Sequence, residues 1–181
     1  HLSDARLSYW QSFFGLLPAF GLYEREAGLL PQIPTGGLGI GTAENPLLAT
    51  PVADQSVRLS GPLAFLGAGV YRDGLGLDVE TWWQVAEGPI SRPFSIMGHL
   101  LTPGGEVLGV SDGLAVSPVE LFPGDVLVQR HRFDGVTGEE FLLRTGAYWL
   151  DTMERWTVAD IPEADAIFIR IHINPFPSEA R

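Results

Sequence analysis

Hydrophobic and polar residues alternate, with a period of two, along several short stretches of this chain. In segment 167–173, isoleucine occupies every odd position, while Phe168, Arg170 and His172 occupy the even positions. A period of two is typical of β-strands that bury one face. Together with the turn residues between the stretches, this pattern predicts strands at 63–66, 70–71, 77–85, 96–101, 107–110, 126–131, 141–150 and 167–173, with a bend at Gly146.

Proline and glycine divide the stretch from Phe94 to Arg132 into three strands. Residues 103–105 read Pro-Gly-Gly, which is a tight turn, and Pro123 and Gly124 precede the third strand. The connections are too short for the crossover helices that a parallel sheet needs. We therefore predict an all-β fold, an antiparallel β-sandwich of immunoglobulin-like or jelly-roll type with seven or so short strands.

The first 18 residues show the spacing of an amphipathic helix instead of the period of two. Ser3 and Asp4 can cap a helix, and Pro18 limits it. Most amphipathic helices pack on their own domain, and the alternative is that this one docks on a membrane or a partner protein. The apolar side chains at helical spacing are Trp10, Phe13, Phe14 and Leu17.

Proline and glycine recur without periodicity from Ala27 to Gln55, which indicates an extended connector or wrapping arm. The run Gly-Leu-Gly-Ile-Gly at 37–41 is superficially similar to a phosphate-binding loop. It lacks the lysine, the preceding strand and the following helix that such a loop needs, so a turn is the better interpretation. We predict a helix and arm at 1–55 and a β-sandwich domain at 56–181.

Composition narrows the classes of partner. The chain has 181 residues, of which 45% are hydrophobic, enough for one well-buried core. Its formal net charge of -11 disfavours nucleic acid and anionic membrane surfaces. Cysteine is absent, which excludes disulfides, thiolate nucleophiles and cysteine-ligated zinc.

Motifs for catalysis are missing from the sequence. There is no G-x-S-x-G elbow, and the adjacent Glu139 and Glu140 would point to opposite faces of a strand rather than form an acid/base pair. Asp73 and Asp78 enclose glycines as in a calcium loop, but oxygen ligands do not alternate between them, so a hairpin turn is predicted. We predict no enzymatic activity and no cofactor.

Histidine offers two metal hypotheses. His99 could ligate a metal or shuttle protons, but a structural histidine bonded to a neighbouring strand or loop is the commoner case. An N-terminal His1 can hold copper through its amine and ring nitrogens, with a second histidine from elsewhere. Nothing else in the sequence fits a copper enzyme, so we predict no metal site.

Aromatic and basic residues supply the candidates for ligand binding. Tryptophans can stack on sugars, although they also fill the cores of sandwiches. Arg130 and Arg132 lie on a predicted strand. There they could bind an anion or pair with Asp112, Asp125 or Glu120. The ligand-binding candidates are Trp82, Trp149, Trp156, Arg130 and Arg132.

A series of short motifs between residues 57 and 173 resembles a known family. It is similar to the C-terminal extracytoplasmic β-sandwich domain of bacterial family 39-type, dolichyl-phosphate-mannose mannosyltransferase-like membrane glycosyltransferases. The chain departs from that pattern at Phe122, where tryptophan is usual, and at Trp149, where a small or acidic residue is usual. The motifs that carry the resemblance lie at 82–85, 94–101, 105–107, 111–113, 123–126 and 144–150.

The resemblance implies an extracytoplasmic, membrane-associated accessory module without catalytic activity, because no part of this chain resembles the multi-spanning catalytic region of that family. The expected partners are a glycan or a membrane protein. The alternative function is that of a structural subunit docked through its N-terminal arm onto a membrane protein complex. The sequence leaves the oligomeric state undetermined.

Overall fold

A computed structural model describes residues 20–23, 38–42, 56–73, 76–114 and 116–173. Within these ranges the chain forms ten strands and a single short 3₁₀ turn at Pro118–Glu120, and no helix is long and apolar enough to cross a membrane. The strands are β1 (Phe20–Tyr23), β2 (Leu38–Gly41), β3 (Val57–Arg58), β4 (Leu63–Asp73), β5 (Gly76–Val85), β6 (Phe94–Leu101), β7 (Val107–Val110), β8 (Val126–Phe133), β9 (Glu140–Trp149) and β10 (Ala166–His172).

The strands form two five-stranded sheets. The first sheet has the order β1-β8-β5-β4-β3, and the second has the order β2-β10-β9-β6-β7. All the described strand pairs are antiparallel. The predicted all-β antiparallel sandwich is therefore confirmed.

The core lies between the two sheets, where the alternating strands place their apolar side chains. From Leu77 to Val85 on β5, the buried positions are the odd-numbered ones, including Val79 and Trp83, as the period of two predicts. The second sheet contributes Ile167 and Ile169 to the same cluster. Burying such side chains is the dominant favourable term in folding, at about 25 cal/mol per Å² of apolar surface.

Two strands differ in detail from the prediction. The predicted strands 63–66 and 70–71 are one strand, β4, because a bulge between Phe65 and Gly67 absorbs the irregular spacing. The bend expected at Gly146 does not interrupt β9, which keeps an unshifted register with β6 and pairs Gly146 with Met97.

Two strands come from residues 1–55, the segment predicted to hold the helix and the arm. β1 is an edge strand of the first sheet and pairs with β8, while β2 is an edge strand of the second sheet and pairs with β10. The predicted N-terminal helix, with its apolar face and its docking role, lies outside the described residues, as does His1. The boundary between residues 55 and 56 stays a prediction.

Candidate functional site

A cleft of about 320 Å³ opens at one end of the sandwich. It lies between the β3–β4 turn, the β5–β6 loop and the last residue of β9. Loops carried on a rigid sheet scaffold are the usual location of binding residues. The cleft is lined by Ser60, Gly61, Pro62, Glu87, Gly88, Pro89, Ile90, Ser91, Arg92 and Trp149.

Arg92 and Trp149 form one wall of this cleft. The guanidinium carbon of Arg92 lies 4.3 Å from the centre of the Trp149 ring, in a cation–π contact. Two guanidinium nitrogens donate to the carboxylate of Asp151, Nε to Oδ2 at 3.1 Å and Nη2 to Oδ1 at 2.7 Å. This hydrogen bonding raises the pKa of Arg92 and lowers the pKa of Asp151. The pair therefore stays ionised around neutral pH, and the guanidinium is held in one orientation.

A second ion pair includes Glu87, another residue that lines the cleft. Nη2 of Arg58 donates to Oε1 of Glu87 at 2.7 Å. Nearby, the Ser60 hydroxyl accepts a hydrogen bond from the backbone N–H of Thr157 at 3.0 Å. The cleft is thus lined by charged and hydroxyl-bearing side chains. The two charged ones, Arg92 and Glu87, are each paired with an ion of opposite charge.

The turn after β9 positions the first of these pairs. The backbone N–H of Trp149 donates to the carbonyl of Glu154, and that of Met153 donates to the carbonyl of Trp149, at 3.0 and 2.8 Å. Met153 has a φ of 58°, a conformation that costs a non-glycine residue about 1–2 kcal/mol. The strained turn places Asp151 within hydrogen-bonding distance of Arg92.

Trp156 is not part of the cleft surface. Its side chain is only 2% exposed and lies in an aromatic cluster, with ring centres 4.7 Å from Trp149 and 5.2 Å from Phe94. The prediction that Trp156 contacts a ligand is therefore corrected: a ring enclosed in the core offers no surface to a ligand. Trp156 instead packs against the indole of Trp149 inside the core.

The other three candidates lie together on the outer face of the first sheet. Trp82 pairs in register with Val128, two residues before Arg130 on the neighbouring strand β8, which also carries Arg132. Arg130 lies 3.6 Å from Glu80, and Arg132 donates to Asp134 at 2.8 Å. Both arginines also pair with Asp78. The two arginines thus pair with carboxylates beside them on the first sheet and not with the loop residues Asp112 or Asp125.

Sequence reasoning missed Arg92, Glu87 and Ser60. Arg92 and Asp151 are 59 residues apart in the chain, so their pairing depends on the fold and leaves no local signal. The available hint was the run Gly88-Pro89 to Pro93, whose two prolines mark an ordered loop between strands.

His99 has a structural role, as predicted. Its Nε2 lies 3.1 Å from Oδ1 of Asp112, whose carboxylate also accepts hydrogen bonds from the Gly98 N–H and the Tyr148 hydroxyl. Partial burial raises the pKa of Asp112, but these hydrogen bonds and the charge of His99 outweigh it, so the pKa is lowered. Among the described residues, no group of three His, Asp or Glu could hold a metal ion.

A second histidine, His131, joins the two sheets inside the core. It is fully buried, and its Nδ1–H donates to the carbonyl of Ser111 at 2.7 Å. Its Nε2 therefore carries the lone pair and accepts from the Thr81 hydroxyl at 3.0 Å, while that hydroxyl accepts from Nε1–H of Trp83 at 2.9 Å. The neutral imidazole satisfies every member of this chain of hydrogen bonds.

Burial lowers the pKa of His131, although the Ser111 carbonyl and the charge of Asp112 oppose the shift, and His99 adds to it. The unfolded chain then binds a proton near pH 6.5, where the folded chain does not. We expect the free energy of unfolding to decrease as the pH falls below 6.5, by up to about 1.4 kcal/mol per pH unit, because protonation then favours the unfolded chain. Above pH 6.5 this histidine should have no effect on the pH dependence. Urea denaturation from pH 8 to pH 5 measures this dependence.

The variant His131→Gln keeps a neutral polar side chain and removes the titration. Its stability is expected to fall less steeply between pH 6.5 and pH 5 than that of the native protein, because the other histidines are common to both. Equal slopes would show that His131 is not the group responsible.

The fold and the cleft together define a β-sandwich module with a loop-built surface site. No protein-family model and no curated protein sequence matches the chain. Among solved structures, the crystal structure of the C-terminal domain of Wzt is similar, with a TM-score of 0.44 and 13% sequence identity, over 68% of this chain and 80% of that domain. The resemblance to family 39-type glycosyltransferases stays a prediction.

Proposed function

We propose that this chain is a non-catalytic β-sandwich module that binds carbohydrate in the cleft at the end of the sandwich. The observation that carries the proposal is the wall formed by Arg92 and Trp149. There a half-buried indole supports a guanidinium that is fixed by Asp151. Sugars present hydroxyl groups beside apolar C–H faces, and the combination of an aromatic ring with fixed charged groups suits both.

The arrangement of charge favours binding over catalysis. The cleft carboxylate of Glu87 is paired with Arg58, and Asp151 beside the cleft is paired with Arg92. General acid catalysis by a carboxyl group needs a raised pKa, whereas the hydrogen bond with Arg92 lowers the pKa of Asp151. Ionised, hydrogen-bonded pairs of this kind present acceptors and donors to hydroxyl groups without transferring a proton.

The proposed location and partner rest on the sequence resemblance. We propose an extracytoplasmic module that is accessory to a membrane glycosyltransferase, with the cleft holding part of the saccharide that the transferase handles. The net charge of -11 fits a neutral saccharide better than a polyanion.

A glycan array of neutral and acidic bacterial surface saccharides, followed by titration calorimetry on the hits, tests this proposal. We expect binding of neutral saccharides, with at least a tenfold loss in the variant Arg92→Ala, because that change removes both the guanidinium donors and their stacking on Trp149. Arg132→Ala is the matched control, since it removes an arginine that is also paired with aspartate but lies on the outer face of the first sheet.

Two results would contradict the proposal. One is the absence of binding to every saccharide on the array. The other is an affinity that falls equally in Arg92→Ala and Arg132→Ala, which would exclude the cleft as the site.

A further inference from the structure

The edge strand β7 of the second sheet exposes apolar side chains along most of its length. It reads Val-Leu-Gly-Val, and the exposed fractions are 61% for Val107, 46% for Leu108 and 60% for Val110. Edge strands are usually protected by lysine, proline or a bulge, because their free main-chain groups can pair with another chain. Neither lysine nor proline occurs in β7, so its side chains do not block such pairing.

The main chain of β7 is paired on one side. It pairs with β6, and no strand of the described residues lies on its other side. A bulge disturbs the start of β7, because Leu101 pairs with Val107 while Leu100 pairs with Gly109, which leaves Leu108 as the extra residue. The bulge therefore protects the first part of the edge only.

Beyond the bulge the pairing with β6 is regular. The N–H of Ser111 donates to β6 at 2.7 Å, and Gly113 exchanges two backbone hydrogen bonds with Ile96, each of 3.0 Å. Main-chain groups alternate in direction along an antiparallel strand, so those of Val110 and Asp112 point away from β6. Residues 109–113 thus form a free edge about 17 Å long with donors and acceptors at alternate positions.

The surroundings of this edge define the chemistry of a partner. Val107, Leu108 and Val110 offer apolar contacts to the side chains of an added strand. Glu106, which precedes β7, is exposed, and the whole chain has a net charge of -11. Charge complementarity therefore favours a segment that carries lysine or arginine beside its apolar residues.

We propose that β7 is a docking site for an extended segment of a partner protein, which adds to the second sheet as a further strand. The segment is apolar at alternate positions and basic at its ends. In strand addition, main-chain hydrogen bonds provide affinity, and side-chain contacts provide specificity. The site is separate from the proposed carbohydrate cleft, because none of the residues 107–113 lines that cleft.

A second copy of this chain fits the edge less well. Each copy has a net charge of -11, so two copies repel each other. Stable interfaces between folded proteins bury about 800 Å² on each partner, far more than an edge of five residues provides. A segment brings only its own charge, which can be positive, and a short edge suits a weak, reversible contact with it.

Fluorescence anisotropy with a synthetic peptide tests the inference. The probe is a rhodamine-labelled peptide amide of sequence Lys-Val-Thr-Val-Thr-Val-Lys, whose β-branched residues favour an extended strand. We expect saturable binding to the full chain. Replacing both lysines of the peptide with glutamates should weaken binding at least threefold, because the negative charge of the chain then repels the peptide.

N-methylation of the peptide separates strand addition from simple apolar contact. Methyl groups on the five interior amide nitrogens keep every side chain and remove the main-chain donors on both edges of the peptide. We expect binding to weaken at least tenfold, because an added strand needs these donors. Equal affinity for the methylated and unmodified peptides would overturn the inference.

Proline variants of the protein locate the site. Val110→Pro removes an N–H that points away from β6, so the fold and its thermal unfolding midpoint should be retained while peptide binding weakens at least tenfold. Val119→Pro is the matched control: Val119 is 67% exposed, but it lies on the 3₁₀ turn at Pro118–Glu120 and not on a strand edge. It should bind the peptide like the native protein.

The outcomes are independent of those for the cleft, because saccharide binding should be the same in Val110→Pro and in the native protein. No binding of the lysine peptide, or equal loss in the two proline variants, would overturn the inference. A dimer seen by analytical ultracentrifugation and abolished by Val110→Pro would also overturn it, in favour of a second copy of this chain.

Discussion

The variant Gly98→Ala is expected to be destabilised by about 3 kcal/mol or more. An alanine Cβ at this position would lie 2.0 Å from Nδ1 of His131 and 2.5 Å from its Cγ. The imidazole cannot move aside, because both of its nitrogens are hydrogen-bonded, to Ser111 and to Thr81. Overpacking of a core costs about 1–3 kcal/mol, and a buried polar group left without its partner costs about 1–3 kcal/mol more.

Denaturation in urea measures this effect, and the midpoint of thermal unfolding should fall by about 6–12 °C for a chain of this size. Gly113→Ala is the matched control. It lies on the segment that pairs with Ile96, and its added Cβ would approach no atom closer than 3.7 Å, an ordinary contact with Gln129. A stability loss as large in Gly113→Ala as in Gly98→Ala would show that the close approach of His131 is not the cause.

Replacing Trp156 with alanine is expected to cost about 3–5 kcal/mol, because it leaves a large cavity in the aromatic cluster. Trp156→Phe should cost far less. Its ring still fills much of the space beside Phe94 and Trp149, and it removes a buried N–H that has no hydrogen-bond partner among the described residues. Because the desolvation of that N–H already opposes folding, its loss offsets part of the lost packing.

The comparison is made by urea denaturation of both variants. Saccharide binding should survive in Trp156→Phe, since Trp156 does not line the cleft. Equal destabilisation by phenylalanine and alanine would mean that the indole N–H contributes a favourable interaction, contrary to this description of the core.

Much of the fold could be predicted from the sequence because β-strands with one buried face carry a local signal. The alternation at 77–85 is reproduced residue by residue in β5, where the even-numbered side chains are half-buried and the odd ones are buried. The pattern was less informative where both faces are covered. On β10, for example, the residues from Ala166 to Ile169 are all buried, so polar and apolar positions do not alternate there.

The cleft was harder to predict because its parts are distant in the chain. Trp149 could be proposed from its aromatic character alone, whereas Arg92 gains its importance only from Asp151 and the indole beneath it. Trp156 looked equally suitable, since both tryptophans flank the same turn. Burial separates them: the N–H of Trp156 donates to the carbonyl of Ala147, and its ring is buried against that of Trp149.

Backbone hydrogen bonds hold both ends of the loop between β7 and β8. At the first, Gly113 exchanges backbone hydrogen bonds with Ile96; at the second, Gly124 and Asp125 are bonded to Val85. A loop held at both ends has already lost much of its conformational freedom before a ligand binds, so ordering it on binding costs little additional entropy. The backbone that carries the exposed Phe122 is therefore already ordered before a ligand binds.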